Sequence, residues 1–203
     1  MSTRLKRLSV LFVFLFLAGC GGSSALMKPS QNQNITPASK QKAKIVFMRT
    51  SFVSGAVNAE LFEIANGKIK FIGSIPMGSK IVHETTPGKK VYMAYGIAAD
   101  FMLADVRAGK TYYSIVRPNW GTGGFAPTPI RTDGTSEYNT SSPDFKDWVS
   151  GTELLEPIPE DAKKWFAQEQ KNIMETYKEY WKRFQTKNPN EKAERSLTPR
   201  DGM

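Results

Sequence analysis

Seven short apolar runs follow one another between residues 44 and 117, and none is long enough to make a convincing helix. They are KIVFMR (44–49), AELFEI (59–64), KIKFIGSI (68–75), KIVHET (80–85), KKVYMAY (89–95), FMLADV (101–106) and TYYSIVR (111–117). Ile, Val, Phe and Tyr are frequent in them, and several alternate apolar with polar residues. Asn66-Gly67, Met77-Gly78, Pro87-Gly88 and Ala108-Gly109 punctuate the series. Branched and aromatic side chains suit a pleated surface, and glycine supplies the positive φ that tight hairpins need. The pattern predicts a mainly β fold: a single antiparallel β-sandwich, Ig-like or transthyretin-like, over residues 44–158.

The second half of that span changes character. Residues 118–151 are rich in Gly, Thr, Ser and Pro and read as a long surface loop, with one further strand over 124–131. An amphipathic helix is expected over 159–187. Pro159 suits a first helical turn, Glu160 and Asp161 suit the positive N-terminal dipole, and Asn188-Pro189 stops the helix. At helical periodicity Phe166, Ile173, Tyr177, Tyr180, Trp181 and Phe184 fall on one face, and Lys164, Lys171, Glu175, Lys178 and Lys182 fall opposite. Residues 188–203 are polar and are expected to be disordered.

The N-terminus speaks to location. Arg4, Lys6 and Arg7 precede an apolar run over 8–17, then come Ala18, Gly19 and Cys20. This is the layout of a secretory signal peptide over 1–19, and the run is about half the ~20 residues that span a bilayer. Leu17-Ala18-Gly19-Cys20 resembles a bacterial lipobox. The resemblance implies acylation of Cys20, removal of residues 1–19 and membrane anchoring, and Gly21 favours the outer membrane. Cys20 is the single cysteine, so no intrachain disulfide can form. Residues 20–43, GGSSALMKPSQNQNITPASKQKA after the cysteine, read as a flexible tether. Removing the three basic and no acidic residues of 1–19 takes the net charge from +9 to +6. A basic surface favours an anionic envelope polymer or lipid head group as neighbour, and nucleic acid is not expected outside the cytoplasm.

The chemistry-bearing motifs are thin. Gly109-Lys110-Thr111 ends like a phosphate loop, but that loop needs glycine where Ala104 stands, and a helix where the strand TYYSIV follows. Ser39-Lys40-Gln41-Lys42 matches S-x-x-K in a segment read as tether. His83 is the only histidine and lies in a strand pattern, and Asp100/Asp105 and Glu60/Glu63 read as solvent-facing pairs. No catalytic residue, cofactor or metal site is predicted. The candidate partner-binding residues are the loop aromatics Trp120, Phe125, Tyr138 and Trp148, with Phe145 beside them, and Tyr177 and Trp181 of the helix. The helix stripe has three uses: packing on the chain's own sheet, docking a partner, or lying on a membrane surface.

TPGKKVYMAY (86–95), LADVRAGKTYYSIVRP (103–118) and KIVFMRTSF (44–52) resemble a family of small bacterial lipoproteins carrying an uncharacterised β-sandwich domain. The resemblance covers about 44–131. It implies the sandwich and brings no known activity. The expected function is a non-enzymatic binding or structural role in the envelope. The alternative is an envelope hydrolase acting on wall or lipid substrates, for which His83 would have to meet a nucleophile.

Overall fold

A computed structural model describes residues 25–50 and 57–203. Residues 1–19, read as a signal peptide, and Cys20 lie outside the described residues. Eleven strands and three α-helices make up the described chain: β1 (Met27–Pro29), β2 (Ala43–Arg49), β3 (Ala59–Ala65), β4 (Lys68–Ile75), β5 (Ser79–Thr85), β6 (Gly88–Tyr95), β7 (Ala99–Val106), β8 (Thr111–Asn119), β9 (Gly124–Pro129), α1 (Pro143–Ser150), β10 (Glu153–Pro157), α2 (Pro159–Gln185), α3 (Pro189–Glu194) and β11 (Ser196–Leu197). A single 3-10 turn spans Pro199–Asp201. One sheet has the order β1-β10-β5-β2-β8-β9, and the other β11-β7-β6-β3-β4.

The expected antiparallel arrangement is corrected: both sheets are mixed. β2 runs parallel to β8, β10 to β5, and β11 to β7. These pairings join strands far apart in sequence, where no turn fixes the direction. The hairpins are antiparallel, as their turns dictate. Asn66 (φ 51°) and Gly67 (φ 72°) both lie in the left-handed region between β3 and β4, which is the signature of a type I′ turn.

The sheets face each other across a shared core. Ile45, Phe47 and Tyr112 of the first meet Leu61, Tyr92 and Met102 of the second, and the Phe47 and Tyr92 rings lie 5.3 Å apart. The outer faces are covered too. α2 lays Phe166, Ile173, Tyr177, Trp181 and Phe184 over Phe62, Met93 and Phe101. On the other side Tyr138, Phe145 and Trp148 cover Val46, Met48 and Ile115. All seven residues of β2 are therefore buried, and the run KIVFMR is apolar almost throughout for that reason.

Three segments differ from expectation. The tether read over 20–43 joins the fold from Met27 onward: β1 pairs with β10, and Met27 is only 3% exposed. The Gln33 side-chain amide donates to Leu154 O and accepts from Leu154 N. Lys44 Nζ donates to both oxygens of Thr36, O and Oγ1. Backbone and amide bonds hold this stretch without any hydrophobic period. The loop read over 118–151 holds its expected further strand as β9 and also contains an unexpected helix, α1, capped by Ser142 with Pro143 in its first turn. The tail over 188–203, expected to be disordered, is seated. β11 lies along the β7 edge, Leu197 is 1% exposed, and Thr111 and Met203 exchange backbone hydrogen bonds.

Candidate functional site

α2 does not cover the whole outer face of the second sheet. Its last turns stack Trp181 on Phe184, with centroids 5.4 Å apart and planes at 12°, above Phe101. Leu103, two residues further along β7 and on the same face, is left half-buried. The tail, docked on the β7 edge, rises on the far side. Between them lies a groove of about 810 Å³, floored by Ile64, Val91 and Leu103 and walled by Trp181, Phe184, Leu197 and Pro199. Its volume falls within the ~300–1,000 Å³ of small-molecule sites, and like them it is apolar with few polar groups. Its charged lining groups are mostly lysines: Lys89 and Lys192 border it, Lys90 lines it from a strand position whose ammonium turns to the other face of the sheet, and Asp105 is the carboxylate among the lining residues. Lys192 Nζ donates to Gln185 O at 2.7 Å, which ties the tail to the end of α2.

Lys90, next to Val91 on β6 and so on the opposite face of the sheet from the groove, belongs to a buried polar cluster between the sheets. Its Nζ lies 3.7 Å from Glu63 Oε1 and donates to Thr86 Oγ1. Glu63 Oε2 lies 2.7 Å from His83 Nε2 and accepts from Thr85 Oγ1 at 2.7 Å and from Tyr92 OH at 3.3 Å. Burial by itself raises the Glu63 carboxyl. Hydrogen bonds from His83 and Thr85, with the fields of His83 and Lys90, outweigh it and hold the group down at about 2. The phenol of Tyr92 is pushed well up by burial and by the Glu63 charge. The cluster pins β5 of one sheet to β3 and β6 of the other. Both hydroxyls donate to the carboxylate, not to the imidazole, so the cluster does not pair an activated oxygen with His83.

Three of the four carboxylates read as solvent-facing, Glu60, Glu63 and Asp100, are enclosed, while Asp105 is half-buried. Ser74 Oγ donates to Glu60 Oε1 at 2.9 Å, while Oε2 is buried and has no hydrogen-bond partner among the described residues. Burial raises this carboxyl to about 7, against the smaller opposing effect of the Ser74 bond. Asp100 is 3% exposed, accepts from Asn119 Nδ2 and lies 3.2 Å from Arg195. Strand alternation carried the signal. Glu63 shares its face with Ala59 and Leu61, which line the shared core, and Glu60 shares the other face with Phe62 and Ile64.

The sequence-selected aromatics are dispersed. Trp120 is 79% exposed at the turn between β8 and β9. Phe125 is buried with the Arg49 guanidinium 4.3 Å above its ring. Tyr138 and Trp148 pack together at 5.9 Å on the outer face of the first sheet. Tyr177 and Trp181 stack at 6.1 Å over Phe101, and Trp181 alone of the six lines the groove. The Gly109-Lys110-Thr111 turn has Gly109 at φ 75°, and its N–H is donated to Ser39 O and Lys42 O, so that N–H is not free to meet a phosphate. Among the described residues no His/Cys/Asp/Glu group is arranged to hold a metal, and no helix is long and apolar enough to cross a membrane. No protein-family model matches the chain, and no curated protein matches it.

Proposed function

We propose that this chain is a lipid-anchored lipoprotein of the cell envelope, held at the outer membrane through acylated Cys20 and facing the periplasm, whose folded part binds an elongated apolar ligand without turning it over. The groove between α2, β7 and the tail carries this reading. It is apolar along its length and cationic at its rim, which suits an acyl chain ending in an acidic head. The two facing sheets are taken as the layers of one sandwich on an Ig-like or transthyretin-like plan. The shared core supports that plan; the parallel β10–β5 and β11–β7 pairings are additions to it, and the parallel β2–β8 pairing in the middle of the first sheet is a variation on it.

The anchor is tested directly. Cys20→Ala is expected to take up no radiolabelled palmitate and to keep its leader, whereas the native chain is labelled and shortened. Equal labelling of both would remove the lipoprotein assignment.

The groove is tested in cells producing the full chain and fed a long-chain carboxylic acid bearing a diazirine. After illumination, cross-links should map to peptides containing Val91, Leu103 or Trp181. Leu103→Trp fills the floor without adding charge and should cut that labelling about tenfold, equivalent to about 1.4 kcal/mol of affinity. Labelling confined to the N-terminal segment, or unchanged by Leu103→Trp, would show that the groove is not the binding site.

A further inference from the structure

On the other side of the tail lies a second cavity, of about 1220 Å³, with a different chemistry. Three arginines from three parts of the chain converge there: Arg117 of β8, Arg131 after β9 and Arg195 after α3. Arg117 Nε and Arg195 Nη1 both donate to one oxygen, Thr128 Oγ1, at 3.0 and 2.9 Å. Two guanidinium groups are thus gathered on a single hydroxyl. Asp201 pairs with Arg131 at 2.9 Å and Asp100 with Arg195 at 3.2 Å. Arg117 has no carboxylate within ion-pair distance among the described residues, and its guanidinium lies 5.7 Å over the Tyr138 ring. Of the three arginines, Arg117 is therefore the one with no ion-pair carboxylate of its own, and the carboxylates left over in the lining, Asp133, Glu137 and Glu194, belong to exposed residues. We propose that this cavity is a binding site for a small oxyanion, a carboxylate or phosphate group received by Arg117 with Arg195 beside it.

Charge and burial argue the same way. Arg195 is 9% exposed. Burial lowers its affinity for its proton, and the Arg117 charge adds to that, against the opposing fields of Asp100, Glu194 and Tyr138. Asp100 compensates Arg195, so the second guanidinium gathered on Thr128, that of Arg117, is the one for which a further anion lowers the repulsion. Guanidinium is suited to the task, since its planar fork matches two oxygens of a carboxylate or phosphate and is never neutral at working pH. The mouth sets the size of the ligand. Arg200 and Lys192 stand there against Asp133, Glu137 and Glu194, so the rim offers no net attraction. A polyanion lying across it would meet three carboxylates. A single compact oxyanion reaching the inner arginines would not. This selects a small ligand over the anionic wall polymer suggested by the basic composition.

The test is calorimetric titration of the full chain, in micelles of an uncharged detergent at low chloride, with inorganic phosphate in one arm and succinate in the other. Saturable binding is expected in at least one arm at concentrations below about 10 mM, and the stronger arm identifies the oxyanion. Added salt should weaken it, as befits a charge contact. Arg117→Gln should weaken binding tenfold or more. Arg117→Lys keeps the charge, loses the fork and should also weaken it, which guards against reading a folding defect as loss of the site. Leu103→Trp, in the apolar groove, should leave the titration unchanged, so failure here and failure of the groove are separable. No saturable heat in either arm, or binding indifferent to both Arg117 variants, would overturn the proposal.

Discussion

Phe101→Ala is expected to lower folding stability by about 3–5 kcal/mol, the usual cost of deleting a large buried ring. Phe101 is fully buried on β7, and three rings of α2 meet it edge-on: Tyr177 at 5.9 Å, Trp181 at 5.0 Å and Phe184 at 5.5 Å. Each such pair adds about 0.5–1.5 kcal/mol beyond area burial. The helix gains little from itself, with no side-chain cap at Ile158, so its position depends on this contact. Against a typical stability of about 5–15 kcal/mol, the loss brings the chain near its limit. Lys178→Ala, on the exposed face, should change stability by less than about 0.5 kcal/mol. Denaturant unfolding followed by tryptophan fluorescence decides the matter. Equal midpoints for the two variants would mean that α2 is not packed on the sheet.

Arg131→Ala should cost about 3–5 kcal/mol as well, because it removes one partner of a buried ion pair. Arg131 Nη1 donates to Asp201 Oδ2 and to Ser196 O, and Nη2 donates to Ala193 O. Its loss leaves Asp201, 3% exposed, with only the Thr198 N–H and hydroxyl, and orphans two carbonyls of the tail. The tail should then come off the β7 edge, and trypsin should cut after Lys187 or Lys192 much faster than in the native chain. Adding Asp201→Ala to Arg131→Ala should cost less than the sum of the single changes, since the second no longer removes a paired charge. A protease-resistant tail in Arg131→Ala would show that the pair is not what seats it.

The strand runs were legible because their causes are local. Alternation, branched side chains and turn glycines act within a few residues, and Asn66-Gly67 specifies its turn with no help from elsewhere. The face of α2 was legible in the same way. β1, β10 and β11 were not. They are three, five and two residues long, and their hydrogen bonds come from partners far along the chain. Nothing in MKP or SL announces a strand before its neighbouring strand exists. The polarity of residues 188–203 suggested solvent, yet much of it meets polar atoms of the fold: Arg195 meets Asp100, and Asp201 meets Arg131. His83 lies in a strand pattern, and in the fold its ring meets Glu63 between the sheets. The pairing itself could be reached only by taking the alternation of AELFEI literally and turning a glutamate inward.

Lys192, Ser196, Thr198 and Pro199 line both cavities, so the tail is a single partition with a proposed ligand site on each side. Each site is complete only while that partition is seated. A ligand that binds the seated form alone favours it by RT ln(1 + [L]/Kd), whichever side it enters from. The coupling is then reciprocal by thermodynamic necessity: an oxyanion behind the partition tightens the hold on a chain in front of it by the same factor that the chain tightens the hold on the oxyanion.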